Sequence, residues 1–270
     1  MAAGSTSWSD LRPRIVTGAA LAVVGLGAVL SGGLFLLALV AVMAAAMIWE
    51  LDQMLTPSTA RQSMMLALLA GAGMFLFGTW SAPIGAGVLL AVPVVGALRQ
   101  SSRDRGIFLF YGLVILAGAL GLFLVRDTLA TAGPALWLVL IVVVTDIAGY
   151  FGGRLIGGPK FWPAVSPKKT WSGTISGWVG AAVMSALVAG LFLPGQLPLT
   201  AFVLLAMVLS LASQLGDIGE SALKRRAGIK DSSNLLPGHG GVLDRFDGMI
   251  AVFALVLAIW AVLPVFDGLR

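Results

Sequence analysis

The chain has 270 residues, 59% of them hydrophobic and only 11% charged, where a soluble domain carries about 25% charge. That deficit excludes an ordinary water-soluble domain, and the absence of cysteine excludes disulfides and thiolate metal sites. The net charge of +5 would suit a nucleic-acid partner, but the placement of the basic residues decides against one.

Residues 1–13 are polar, and the first apolar run, 15–30, is too long for a signal-peptide core and lacks a clear small-x-small cleavage site, so it reads as a retained helix. Further runs predict helices at 33–49, 64–80, 83–98, 106–125, 135–151, 171–193, 200–215 and 249–265, each about long enough for a bilayer core. Turn chemistry separates them at Ser31-Gly32-Gly33, Ser81-Ala82-Pro83, Ala132-Gly133-Pro134 and Pro194-Gly195-Gln196-Leu197-Pro198. Backbone polar groups in lipid must be satisfied within the segment, and the runs lack the alternation of barrel strands. The expected fold is all-α: a polytopic membrane bundle of about nine transmembrane helices. Residues 1–135 supply about five N-terminal helices, and 136–270 form a catalytic region with polar loops at 152–170 and 216–248.

With nine helices, fifteen of the seventeen Lys and Arg residues fall on one side: Arg12, Arg14, Arg61, Arg99, Arg103, Arg105, Arg154, Lys160, Lys168, Lys169, Lys224, Arg225, Arg226, Lys230 and Arg245. Only Arg126 and Arg270 fall on the other. By the positive-inside rule the N-terminus is cytoplasmic and the C-terminus external. The basic excess therefore reports orientation, not nucleic acid.

Ionisable groups within membrane helices are functional candidates by default. Asp146 lies roughly 10 Å from the cytoplasmic end of the sixth helix at ~1.5 Å per residue. Asp217 closes the eighth, with Glu220 a turn further on. Each is either a snorkelling, salt-bridged acid or part of a site. Asp244 and Asp247 are three apart and share a helix face. Hard carboxylate oxygens with no Cys and one His suit Mg2+. Gly238, Gly240 and Gly241 free the backbone to approach phosphates, with Lys224, Arg225 and Lys230 as cations. Ser166-Pro167-Lys168-Lys169-Thr170 precedes a helix N-terminus and is either an anion site or a positive-inside anchor. His239, the single histidine, is either a plain loop residue or a phosphate contact.

The stretch 221–247 contains Ser-x-Leu-Lys-Arg, then Lys230-Asp231, then Pro-x-His-Gly-Gly-x-x-Asp-Arg-x-Asp. It resembles the signature of the phosphatidate cytidylyltransferases. Asp146 through Gly153-Arg154, 166–170 and 214–221 are similar to the family's other motifs; Ser172 stands where many relatives carry an acid. The likeness covers about 140–250. It implies transfer of CMP from CTP to phosphatidate, giving CDP-diacylglycerol and pyrophosphate. It implies Mg2+, alone or with a second cation, on Asp217, Asp244, Asp247 and Asp146. Asp217, Asp244, Lys224, Arg225 and Asp247 would be catalytic. Ser166, Lys168, Lys169, Thr170, Lys230, His239, Gly240, Gly241 and Arg245 would bind substrate. CTP, phosphatidate and membrane lipids are the implied partners, in a bacterial inner membrane with the site facing the cytoplasm. Gly173-x-x-x-Gly177 would pack helices within the chain or join a homodimer. A cytidylyltransferase for another lipid phosphate, such as an ether-linked one, and an ion-coupled transporter are the alternatives. The CDP-alcohol phosphotransferase motif is absent.

Overall fold

The computed structural model describes residues 8–55, 60–192 and 198–263, with side chains from residue 14 onward except at Phe192. The predicted turn at 194–197 and Arg270 lie outside the described residues. Nine helices are present among the described residues: α1 (Trp8–Ser31), α2 (Gly33–Leu55), α3 (Ala60–Thr79), α4 (Ala82–Arg99), α5 (Arg105–Thr128), α6 (Gly133–Leu155), α7 (Trp171–Phe192), α8 (Leu199–Ala227) and α9 (Leu243–Val262). All nine are long and apolar enough to cross a membrane. Large apolar side chains such as Val23, Leu187 and Val262 stay exposed on the outside, as a lipid solvent allows. Among the described residues one core runs from Ala28 to Val256.

Two features depart from the sequence reading. The loop 152–170 is not irregular throughout: β1 (Lys160–Trp162) and β2 (Ser166–Thr170) form an antiparallel hairpin with Lys160 opposite Thr170 and Trp162 opposite Ser166. The all-α description holds for everything else. The loop 216–248 is also shorter than expected, because α8 continues to Ala227 and α9 begins at Leu243. At ~1.5 Å per residue α8 is longer than a bilayer core is thick. Gly228 ends it in a left-handed conformation, φ 70°, after three basic residues in the last turn, the usual chemistry of a helix C-terminus.

Polar contacts gather the basic gaps at one end of the bundle. Arg226, at the end of α8, pairs with Asp104 before α5 at 2.6 Å. Arg99, closing α4, meets buried Asp52 of α2 at 3.6 Å. Thr17 of α1 donates to the Pro237 carbonyl at 3.1 Å. At the other end Arg126 donates to the Val29 and Leu30 carbonyls at 2.7 and 3.0 Å. This exception to the charge asymmetry caps the C-terminus of α1.

The packing of α6 to α9 positions the site. Gly149 and Gly173 face each other across α6 and α7, and Gly177 lies against Thr145 of α6 and Gln214 of α8. The Gly173-x-x-x-Gly177 stripe is thus used within the chain. Gln214 joins α7 to α8, accepting from Trp178 Nε1 and donating to the Thr174 carbonyl, both at 3.1 Å. Buried Thr145 and Ser210 bond α6 to α8 at 2.7 Å. Such bonds in a membrane contribute about 0.6 kcal/mol each.

Candidate functional site

Gly216 of α8 and Gly248 of α9 lie on facing helix surfaces. A Cβ on Gly216 would meet the Asp247 carbonyl, and one on Gly248 would meet Ser213 Oγ. This close approach brings the acids of two helices together. The result is a polar cavity of about 240 Å³ lined by Asp146, Ser213, Asp217, Glu220, Lys224, Asp244, Arg245, Asp247 and Gly248. All four aspartates singled out in the sequence therefore converge, with Lys224 and Arg245 beside them.

Lysines currently neutralise two of these acids. Lys169, at the end of the hairpin, bonds Asp217 at 2.6 Å and the Gln214 carbonyl at 3.3 Å. Lys224 sits between Glu220 and Asp244, 2.6 Å from the latter. Asp244 is nearly enclosed: its Oδ2 accepts from Ser232 N at 2.8 Å, Ser232 Oγ at 2.9 Å and Gly241 N at 2.8 Å. The Gly241 N–H, expected to face phosphate, is thus already engaged. Two buried oxygens in the cavity wall, Ser213 Oγ and Glu220 Oε1, have no hydrogen-bond partner among the described residues.

The remaining predicted residues divide. Thr170 Oγ1 accepts from Gly173 N at 3.2 Å and so caps α7. Ser172 hydrogen-bonds Thr170 and donates to the Gly157 carbonyl, a neutral closure of the hairpin where an acid was expected. Lys168, Arg225 and Lys230 are exposed, and they and Ser166 stand outside the cavity lining. Gly238 and Gly240 turn the loop at φ 75° and 84°, and the Leu236 N–H bonds the Gly240 carbonyl at 2.8 Å. His239 points towards Gly18 of α1, and its Nδ1 is buried without a hydrogen-bond partner among the described residues. Arg245 Nε donates to the His239 carbonyl at 2.9 Å.

The donor set is chemically suited to a hard cation: aspartate and glutamate carboxylates with one buried hydroxyl left unpartnered. Among the described residues no three acidic or histidine side chains form a ready-made cage. Asp146, Asp217 and Asp247, with Ser213 and Glu220, are the groups that could hold such an ion; Asp244, also expected as a ligand, has both oxygens engaged by Lys224, Ser232 and Gly241.

Comparison with known proteins places the chain in a family. Residues 12–263 match the model of the Cytidylyltransferase family. The chain belongs to that family. It is 38% identical over 266 residues to a phosphatidate cytidylyltransferase of Brucella suis biovar 1 (strain 1330), covering 94% of each chain. It is equally similar to one of Brucella melitensis biotype 1 (strain ATCC 23456 / CCUG 17765 / NCTC 10094 / 16M), again over 94% of each. A phosphatidate cytidylyltransferase of Staphylococcus saprophyticus subsp. saprophyticus (strain ATCC 15305 / DSM 20229 / NCIMB 8711 / NCTC 7292 / S-41) is 36% identical over 63% of this chain and 64% of its own length.

Within this family member, Glu50 and Glu220 are the acids that motif reasoning left out of the site. Glu220 shares Lys224 with Asp244. Glu50 lies on α2, fully buried, and its carboxylate accepts from Ser233, Val242 and Leu243. The rule that singled out Asp146, an acid in an apolar helix, misses Glu50 because the predicted helix ends at residue 49, whereas α2 runs on to Leu55.

Proposed function

We propose that this cytidylyltransferase moves CMP from CTP to phosphatidate, producing CDP-diacylglycerol and pyrophosphate at the cytoplasmic face of a bacterial inner membrane. The observation that carries the reading is the convergence of Asp146, Asp217, Asp244, Asp247, Lys224 and Arg245 on one cavity. These residues come from α6, α8 and α9, and two of those helices flank the matched signature.

A phosphate oxygen of phosphatidate attacks the α-phosphorus of CTP, and the bond to the β-phosphate oxygen breaks. The nucleophile is already anionic, so the work is electrostatic: two polyanions must meet and a third must leave. Five carboxylates line the cavity against Lys224 and Arg245, a balance that repels a triphosphate. This is the physical case for Mg2+, which would be held by Asp217, Asp146 and Asp247 and would supply charge neutralisation at the reacting phosphates. Lys169 and Lys224 already hold carboxylates by charge-assisted bonds at 2.6 Å. They are placed to exchange those partners for substrate phosphates. Arg245, exposed at the mouth, adds a further cation. The lipid tails would remain in the bilayer.

Purified protein supplied with labelled CTP, phosphatidate and Mg2+ should place label in lipid and release pyrophosphate. Failure to label phosphatidate, with transfer to another lipid phosphate instead, would redirect the acceptor; ion flux without nucleotide chemistry would sink the reading.

A further inference from the structure

Glu50 is remote in sequence from every motif that marks the family, yet it holds the centre of the signature. Its side chain is fully buried, at 0% exposure. Oε1 accepts from Ser233 Oγ at 2.6 Å and from Val242 N at 2.8 Å, and Oε2 accepts from Leu243 N at 2.7 Å. The donors straddle the loop between α8 and α9: Ser233 near its beginning, Val242 and Leu243 where α9 starts. Gly241 is enclosed between the two sides, so that a Cβ there would collide with Ser232 Oγ and Glu50 Oε1. Among the described residues no Lys or Arg pairs with Glu50. Backbone N–H dipoles at the start of α9 meet its charge instead.

Glu50 and Asp244 divide the donors of this junction. Asp244 takes the N–H groups of Ser232 and Gly241, and Glu50 takes those of Val242 and Leu243. Three consecutive N–H groups, 241 to 243, are thus fixed by two carboxylates from different helices. The residue after Leu243 is Asp244 itself, followed by Arg245 and Asp247, all in the cavity wall. A shift of α9's first turn moves all three together.

We propose that Glu50 is a positioning residue for nucleotidyl transfer. It latches the loop and the first turn of α9 onto the N-terminal helices, and so sets where Asp244, Arg245 and Asp247 stand relative to Asp217. Its kinetic consequence rests on the transfer reaction proposed above; the latch itself does not.

The chain has no cysteine, so a single nitroxide can report on the loop. Asn234→Cys places it on the exposed loop, and Trp80→Cys, 84% exposed at the opposite end, is the control. Spectra are compared with Glu50 intact, in Glu50→Gln and in Ser233→Ala, and kcat and KM are measured in the unlabelled chains. Gln keeps the shape but turns an NH2 towards at least one N–H donor. Mobility at 234 should rise several-fold in Glu50→Gln and less in Ser233→Ala, with position 80 unchanged. The value of kcat should fall about 100-fold, the cost of a misplacement of roughly 1 Å, while KM for CTP moves by less than about threefold. Unchanged mobility at 234 overturns the latch, as does an equal rise at 80, which marks general loosening. If Glu50→Gln does not fold, Ser233→Ala decides by the same two positions. If the parent chain transfers no CMP, the reaction reading falls, and mobility at 234 alone upholds or overturns the latch.

Discussion

Asp217 and Asp244 face one cavity, but the structure predicts different outcomes for their amide variants. Asp217 has a side chain 41% exposed and a single close cation, Lys169 at 2.6 Å. An ion pair this open contributes about 0.2–1 kcal/mol, so Asp217→Asn should unfold within a degree or two of the parent. Asp244 is 4% exposed, with Lys224 at 2.6 Å on one oxygen and three donors from Ser232 and Gly241 on the other. In Asp244→Asn the amide oxygen must serve those three, which turns the NH2 group against the Lys224 ammonium. Breaking a buried pair costs about 3–5 kcal/mol. Glu220 still neutralises Lys224, so the lower end, about 3 kcal/mol, applies. Asp217→Asn should lose transfer activity by about 10²–10³, the cost of one electrostatic contact to the reacting groups, and Asp244→Asn by about 10², the cost of misplacing Lys224 and the first turn of α9. The assay pairs thermal unfolding in detergent with labelled-CTP incorporation. Equal destabilisation of the two variants would refute the geometric argument, and near-normal turnover in either would remove that residue from the site.

Four further outcomes are expected. Reporter fusions at the two termini should place the N-terminus in the cytoplasm and the C-terminus outside; a cytoplasmic C-terminus would break the odd helix count. Lys169→Gln should reduce turnover far more than Lys168→Gln, because Lys169 bonds Asp217 while Lys168 is exposed; equal kinetic effects, or a topology defect alone, would make both plain anchors. Chelation of divalent ions should abolish transfer and leave the helical circular dichroism unchanged, and Mg2+ should restore activity. The Ser101 hydroxyl and the Arg226 guanidinium hold the Asp104 carboxyl below the usual carboxylate range. A carboxyl depressed in the folded state stabilises fully above its unfolded pKa, near ~4, and that stability is lost as pH falls through the folded value. Asp104→Asn should therefore flatten the acid side of the stability curve below about pH 4 and change nothing at neutral pH beyond the small loss of an exposed pair; an unaltered acid limb would show that the Arg226 link is unimportant.

The nine helices were legible because hydropathy measures the solvent they meet. Their ends were misplaced where that assumption fails. Beyond Leu215, α8 presents Asp217, Glu220 and Lys224, which read as an aqueous loop although they face a cavity and each other. A polar residue satisfied by a neighbouring helix does not stop a helix, so α8 runs on to Gly228. The hairpin was illegible for a related reason: Lys160, Lys168 and Lys169 offer no alternating apolar face, and its register is set by backbone pairing of Lys160 with Thr170.

The site was legible as far as it is local. Asp244, Arg245 and Asp247 share one motif, Asp146 declares itself as an acid in an apolar helix, and Asp217 stands just past the end of the apolar run 200–215. Their convergence depends on Gly216 and Gly248, whose missing side chains let α8 and α9 touch; a glycine in a membrane helix has no such meaning until its neighbour is known. Glu50 shows the opposite limit. It touches residues 183 to 193 positions away, so no motif contains it, yet it takes the two backbone donors that follow Gly241. Two carboxylates on the N–H groups of 241 to 243 leave the start of α9 charge-balanced before any substrate arrives. The Gly241 N–H therefore seats Asp244, and the cations that face the cavity are side chains, Lys224 and Arg245.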